Sequence, residues 1–246
     1  MQETKHSSEK VVSLLKKFSP QQVFIQAIPG KTLADSQLID GVLVKGTSIT
    51  MTNTKTASSI QDVLKIALIN DGIERVRSKT KHTAELETPE QLVQWKHDEE
   101  MVFKKQATAI HETGAQVVFA TGKVHELVAH YLSNLNIACL SFVAKQDLQR
   151  LAIVTGAAIV AYSSDLEEKH LGRASSVTVE NIDHVNYTRV SRAQGEQVKS
   201  SFLLLRGTTP SQCEEYERHI NDALFSVASL IRTPKLLPGG AAVELE

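Results

Sequence analysis

Between residues 116 and 162 the sequence alternates three short apolar runs with two helical patterns, and this alternation restricts the fold more than any other feature. The runs are QVVFA, IACLSFV and AAIVAY, and the segments between them, 124–135 and 146–154, carry apolar residues three or four positions apart. Strands that alternate with helices in this way predict a parallel sheet whose faces are covered by the helices. We therefore expect an α/β domain in this part of the chain.

The overall charge and the cysteine content narrow the class of protein. The chain has 27 Lys and Arg against 28 Asp and Glu, so it lacks the basic character that favours nucleic acid or an anionic membrane. No stretch approaches the roughly 20 apolar residues of a membrane span, and the N-terminus lacks the apolar core of a secretory signal. Two cysteines, Cys139 and Cys213, do not make a disulfide framework or a cysteine metal site. We expect a cytoplasmic protein with no nucleic-acid partner, no membrane partner and no metal site.

Two features of the alternating region imitate functional motifs without meeting their requirements. Gly122 and Gly156 belong to neither a GxGxxG nor a GxxxxGK[ST] pattern, so the converging backbone amides of a phosphate loop are not expected. His125 and His130 flank Glu126 but are five residues apart, which on an α-helix separates them by about 140°. Zinc-binding histidine pairs are four apart and share a face, so a zinc-protease site is excluded.

Near its C-terminal end the chain predicts a strand followed by a long amphipathic helix. An apolar run, Phe202–Leu205, is interrupted at Gly207–Pro210, and a helical pattern follows. The residues expected to face the core are Tyr216, Ile220, Leu224, Val227 and Ile231. The opposite, polar face carries Glu215, Arg218, His219, Asp222, Ser226 and Ser229. By periodicity alone, Asp222 is a solvent-exposed helix aspartate.

Several motifs, taken together, carry a resemblance to a known family. They include Arg206-Gly207 after the strand, Asn221–Leu224 (Asn-Asp-Ala-Leu) in the helix, the Pro-Gly-Gly-Ala-Ala of 238–242, and IPGKTLADSQLIDGVLVKG at 28–46. The likeness spans about residues 23–246. On these motifs the chain resembles a subunit of the group II chaperonins, the CCT (TRiC) and thermosome family, with its apical and intermediate domains present and the equatorial domain missing.

The resemblance implies a fold and a division into domains. It implies an α/β chain with a chaperonin apical domain, a βαβ-type sheet with flanking helices and a helical protrusion, plus a smaller α/β intermediate domain. The implied boundaries are 1–40 for the first part of the intermediate domain, 41–194 for the apical domain, and 195–246 for the second part of the intermediate domain. Thr88 as N-cap and Pro89 as first helical residue predict a helix to about Glu112, in the region of the protrusion.

For ATP chemistry the resemblance implies one catalytic residue and one nucleotide contact. In the family, the aspartate matching Asp222 helps to orient the water that attacks the ATP γ-phosphate, and the segment matching Gly239 and Gly240 touches the nucleotide. ATP and magnesium are cofactors of full-length members, whose Gly-Asp-Gly-Thr-Thr phosphate loop is missing here. We therefore expect no cofactor and no ATP turnover for this chain alone, and whether it forms part of an enzyme stays open.

For client binding the resemblance points to two helices of the alternating region. The segments KVHELVAHYLSNLN and AKQDLQRLAIVTGA are similar to the paired apical helices whose outward faces hold unfolded polypeptide. The residues left outside their apolar stripes are the expected client contacts: His125, Glu126, His130, Ser133, Lys145, Gln146, Gln149, Arg150 and Ile153. Such a mostly polar face favours selective clients.

Two functions remain open at this point. The first is the client-binding part of an ATP-driven folding machine, which works with other subunits in a ring and binds unfolded or partly folded proteins. The second is a stand-alone, ATP-independent binding or assembly module, favoured by the missing His-Pro-Gly-Met-Pro loop and by Gly-Gly-Ala in place of a glycine triplet. The sequence leaves open the subunit type, the clients, the oligomeric state, and whether the equatorial domain is absent in nature or only from this chain.

Overall fold

The computed structural model describes residues 20–48, 55–56, 63–74, 89–193 and 200–235. The chain divides into two compact units. The small unit combines Met1–Ile39 with Ser200–Glu246, and the large unit is Asp40–Lys199. The predicted boundary at 194/195 falls outside the described residues.

The elements follow one another in a strand-rich order. In the described residues they are β1 (Val23–Pro29), β2 (Gln37–Ile39), β3 (Gly41–Lys45), β4 (Thr47–Ser48), β5 (Lys55–Thr56), β6 (Leu64–Ile69), α1 (Pro89–Glu112), β7 (Val117–Ala120), α2 (Glu126–Asn134), β8 (Ala138–Ser141), α3 (Lys145–Thr155), β9 (Ile159–Val160), β10 (Gly172–Ile182), β11 (Val185–Arg192), β12 (Ser201–Gly207) and α4 (Pro210–Arg232). Short 3-10 turns lie at Pro20–Gln22, Leu33–Asp35, Ser163–Asp165 and Glu168–His170.

The small unit is built on a sheet in which β12 is the middle strand of the order β1-β12-β2. β1 runs parallel to β12, whereas β2 runs antiparallel to it. α4 packs against β1 and β12. Gly207 ends β12 where the strand meets this helix, and a Cβ added there would lie 2.8 Å from the Cys213 Sγ. Glycine at this position therefore lets the helix approach the strand closely.

The large unit contains a mixed sheet that confirms the predicted parallel core. Its described strands follow the order β3-β11-β10-β6-β7-β8-β4, with β5 paired to β10 and β9 paired to β6. β6, β7, β8 and β9 are parallel to their partners within this group. β10 and β11 extend the sheet as an antiparallel pair.

The order of the strands places the helices of the large unit on opposite faces of the sheet. The connections β6-α1-β7 and β7-α2-β8 cross the sheet in one direction, whereas β8-α3-β9 returns to the far side of β6. Because crossovers between parallel strands are right-handed, a change of direction moves the helix to the other face. α1 and α2 therefore share one face, and α3 covers the other.

The packing of side chains agrees with this topology. Buried residues of α1 and α2, such as Phe103 and Leu132, form one cluster with Ala67, Val118 and Cys139 of the central strands. α3 packs instead against β3, β6 and β10. Burial raises the pKa of the Cys139 thiol to about 12, so this cysteine is an inert core residue.

Helix α1 spans the predicted range, from Pro89 to Glu112. Thr88, the predicted cap, lies outside the described residues. The side chains described between 90 and 102 are exposed or half-buried, whereas Phe103, Ala107 and Ile110 are buried in the second half. The helix is therefore anchored by its C-terminal half. None of the described helices, α1 included, has the length and apolarity needed to cross a membrane.

Candidate functional site

Helix α3 buries one side and leaves a polar side open. Leu148, Leu151 and Val154 are buried, and the helix ends at Gly156, whose φ of 71° lies in the left-handed region. Four of the predicted client contacts are exposed within an arc of about 100° on the opposite side. They are Lys145, Gln146, Gln149 and Ile153, which we call the α3 face. Ile153, at 44% exposure, is the apolar member of this set.

Arg150, the fifth predicted contact on α3, is held against its own helix. Its Nη1 lies 2.9 Å from Asp147 Oδ1, and the two side chains are 22% and 11% exposed. Burial raises the pKa of Asp147, and the neighbouring guanidinium opposes that rise. Arg150 therefore compensates a buried carboxylate, and only part of its side chain is open to a ligand.

The structure adds an exposed aromatic residue that sequence analysis did not single out. Phe142 lies between β8 and α3, is 57% exposed, and has a φ of 56°. Its backbone N–H donates to the Gly122 carbonyl at 3.3 Å, and the next residue, Val143, donates to the Ala120 carbonyl at 3.0 Å. The left-handed conformation costs a residue with a Cβ about 1–2 kcal/mol. The backbone bonds thus hold an aromatic ring in solvent directly before α3.

His125, predicted as a contact on α2, has a structural role at the start of that helix. Its Nδ1 accepts a hydrogen bond from the Leu127 N–H at 3.3 Å and so caps the helix. The imidazole also stacks on Phe103, with 4.1 Å between ring centroids and 14° between ring planes. These two contacts occupy much of the ring, so the geometry does not favour His125 as a client contact.

The other three predicted residues of α2 lie together on an exposed surface. Glu126, His130 and Ser133 are exposed and share one side of the helix, which we call the α2 face. His130 also contacts the Asn134 amide, at 3.4 Å between nitrogens. Because α2 and α3 cover opposite faces of the sheet, the α2 face and the α3 face are separate surfaces.

A small cavity lies along one side of α1. It has a volume of about 130 Å³ and is lined by Trp95, Asp98, Glu99, Val102 and Phe103. The indole, valine and phenylalanine make its wall apolar, and two carboxylates lie beside it. This chemistry suits an apolar side chain that carries a positive charge at its end.

In the small unit, Asp222 lies on the exposed side of α4. Thr209 caps this helix through a bond from the Gln212 N–H, at 3.3 Å. The predicted polar side is exposed throughout. The prediction for the core side was wrong at Val227, which is 50% exposed, because Ala228 occupies the buried position. The stripe that faces the sheet therefore runs through Cys213, Leu224 and Ala228.

The charged neighbours of Asp222 on α4 are paired with each other. Arg218 and His219, one turn before Asp222, contact Glu215 Oε1 at 2.7 Å and 3.0 Å. Asp222 is thus an exposed carboxylate whose nearest basic side chains along the helix contact Glu215. The structure therefore leaves this carboxylate open to solvent.

The described residues do not fit a magnesium–nucleotide site by themselves. Asp222 supplies a single carboxylate, and no group of three or more His, Cys, Asp or Glu residues suited to a metal ion occurs in the described ranges. Magnesium with ATP requires further ligands and backbone amides around the phosphates. Gly239 and Gly240, the predicted nucleotide contacts, lie outside the described residues.

Comparison with known proteins gives a match along nearly the whole chain. The model of the TCP-1/cpn60 chaperonin family matches residues 4–246. The thermosome subunit of Desulfurococcus sp. (strain SY) is 32% identical over 217 residues, which are 88% of this chain and 39% of that protein. Thermosome subunit alpha of Halobacterium salinarum is 31% identical over 224 residues, 91% of this chain and 39% of that protein.

A solved structure has the same fold over most of this chain. It is the open-state monomer of a group II chaperonin from Methanococcoides burtonii, with a TM-score of 0.70 and 23% identity over 91% of this chain and 48% of that one. The chain spans about two-fifths of the length of the curated relatives it matches.

Proposed function

Because this chain belongs to the TCP-1/cpn60 chaperonin family, we propose that it is the client-binding and intermediate portion of a group II chaperonin subunit that assists protein folding. The observation that carries the proposal is the family match over residues 4–246. The mixed α/β fold, similar to that of a group II chaperonin monomer, supports it. The alternative of a stand-alone, ATP-independent module gains no support from these comparisons.

In this proposal the large unit is the apical domain and binds the client. The α3 face is the proposed contact surface, together with Phe142 just before it. Its side chains combine one cation, two amides and an aliphatic group, all exposed. Amides and a lysine can bond the backbone carbonyls of an unfolded chain, whereas Ile153 and Phe142 can bury its apolar side chains. Partly folded clients that expose both kinds of group are the proposed substrates.

The small unit is the proposed intermediate domain, and α1 the proposed helical protrusion. The exposed first half of α1 supports a helix that projects into solvent. Asp222 has the exposure that a water-orienting carboxylate requires, and ATP with magnesium is the proposed cofactor of the whole protein. The rest of the nucleotide site, a ring of further subunits and a cytoplasmic location complete the proposal for the whole protein.

Binding of an unfolded protein to variants of this chain tests the role of α3. The ligand is a reduced and alkylated test protein with a fluorescent label, and the readout is anisotropy. The double variant Gln149→Ala, Ile153→Ser should weaken binding about three- to tenfold, because it removes a donor and a half-exposed aliphatic group. The matched control is Glu126→Ala, Ser133→Ala on the α2 face, which should bind like the parent chain. Equal affinity of all three proteins would refute the assignment to α3.

The role of Asp222 is tested in the complete subunit. Asp222→Ala and Asp222→Asn should slow ATP hydrolysis by at least tenfold while nucleotide binding is retained, because the carboxylate is proposed to position water and not the phosphates. Glu215→Ala on the same face of α4 is the control. Unchanged hydrolysis in the Asp222 variants would remove this residue from the mechanism.

A further inference from the structure

One buried arginine of the small unit, Arg206, lacks a full set of partners for its guanidinium among the described residues. Arg206, on β12, is 3% exposed. Neither its Nε nor its Nη1 has a hydrogen-bond partner in the described part of the chain. Its backbone N–H donates to Ser36 Oγ at 3.0 Å, which holds the strand but leaves the guanidinium Nε and Nη1 without a described partner. A buried cation without a partner is costly, and an anion bound to it would remove that cost.

Asp35, whose carboxylate is close enough to be affected by the charge of Arg206, is bonded mainly within its own turn. Asp35 ends the 3-10 turn that packs against β12. Its Oδ2 accepts hydrogen bonds from the Thr32 N–H at 3.0 Å and from the Thr32 hydroxyl at 2.8 Å. These bonds lower the pKa of Asp35, and the charge of Arg206 adds only a smaller effect in the same direction. The carboxylate is therefore engaged by the turn.

Another buried polar atom without a partner among the described residues projects from the same face of the sheet. In the parallel register, Ile28 of β1 lies beside Arg206, and Gln26 lies two residues before Ile28. Residues two apart along a strand share a face, so the Gln26 and Arg206 side chains are on one side of the sheet. Gln26 Oε1 is also buried without a hydrogen-bond partner among the described residues.

Elsewhere in this protein a comparably buried arginine is paired. Arg192 in the large unit has a side chain that is 8% exposed, and its Nη1 lies 3.2 Å from Asp40 Oδ1. Native structures pair nearly all of their buried charges and polar groups. Arg192 has a carboxylate partner and Arg206 does not have one among the described residues, so we infer that Arg206 requires an anion. Arg192 serves as a matched internal control.

We propose that Arg206 binds an oxyanion at the face of the small-unit sheet that also carries Gln26. The guanidinium donates hydrogen bonds to the oxyanion, and Gln26 Oε1 accepts a hydrogen bond from a hydroxyl of the same ligand. A singly protonated phosphate meets both requirements, whereas an ionised carboxylate meets only the first. A phosphate would come from a free or nucleotide phosphoryl group, whereas a carboxylate would come from an acidic side chain outside this chain.

Titration of the arginine Nε–H resonances in the ¹⁵N-labelled chain tests the proposal directly. Sodium phosphate and sodium acetate are added in separate series, with chloride adjusted to keep the ionic strength constant. The Arg206 resonance, identified by its loss in Arg206→Lys, should shift and saturate, while the Arg192 resonance stays in place. Saturation with phosphate alone assigns a phosphoryl ligand, and saturation with acetate as well assigns a carboxylate. No saturable shift with either anion would overturn the proposal.

Thermal stability gives a second, independent readout. Phosphate stabilises many proteins without specific binding, so the difference between wild type and Arg206→Met is the relevant quantity. The binding anion should raise the Tm of wild type by about 2–4 °C more than that of Arg206→Met. In the absence of anions, Arg206→Met should melt at or above the wild-type Tm, whereas Arg192→Met should melt lower because it removes a buried guanidinium that is already paired. Equal losses in both variants would show that Arg206 is already paired.

Discussion

Replacement of Phe142 separates the strain in its backbone from the contact its ring is proposed to make. Phe142→Asn and Phe142→Ala both remove the ring. They differ in how well they tolerate the left-handed φ of 56°. Asparagine enters this region several times more often than other residues with a Cβ, because its short side chain bonds to the local backbone.

The structure sets the size of both effects. Full burial of a phenylalanine side chain contributes about 1.5–3 kcal/mol. Phe142 is 57% exposed, so a client can cover about half of that potential, which is roughly 1–1.5 kcal/mol or a five- to tenfold change in affinity. Relief of the left-handed conformation should make the Asn variant about 0.5–1 kcal/mol more stable than the Ala variant.

Two assays measure these effects separately. Anisotropy with the labelled, unfolded test protein should give the same five- to tenfold loss of affinity for both variants. Thermal unfolding should give a Tm about 1–4 °C higher for Phe142→Asn than for Phe142→Ala. Unchanged affinity in both variants would show that the ring does not contact the client. Identical Tm values would refute the argument from backbone strain.

Three further substitutions test the packing on which the sites depend. Arg150→Ala should lower stability by about 1–2 kcal/mol at pH 7 and by less near pH 4, and unfolding measured at both pH values tests this. Burial raises the folded-state pKa of Asp147. The penalty for its ionised form is therefore absent below the unfolded-state pKa and grows as pH rises through the folded-state pKa. Gly207→Ala should cost about 1–3 kcal/mol, because the new Cβ would lie 2.8 Å from Cys213 Sγ, and Cys213→Ala in the same chain should recover part of the loss in a double-mutant cycle. His125→Ala should cost about 1–2 kcal/mol, because it removes both the helix cap and the ring stacking. His125→Asn should recover the cap but not the stacking. Equal denaturation midpoints for these two variants would contradict the capping role.

Local patterns predicted the elements of the large unit and much of the α3 face. Pro89 marked the first turn of α1, because proline suits the start of a helix, where its missing N–H is not needed. The spacing of Leu148 and Leu151 identified the buried side of α3, and exposure of Lys145 and Gln149 followed from the same 3.6-residue period. The role of Asp222 came from family resemblance and stays a prediction, as do the domain identities.

The amino-acid sequence by itself determined which segments become strands and helices and which side of each is apolar, because these properties depend on residues within one or two turns of each other. It did not determine that α2 and α3 cover opposite faces of the sheet, since that depends on which strand β9 joins. Nor did it reveal the left-handed Phe142 or the two guanidinium nitrogens of Arg206 that lack a partner among the described residues. Only the tertiary structure decided these features, because each depends on partners that are distant in the chain and are brought together by folding.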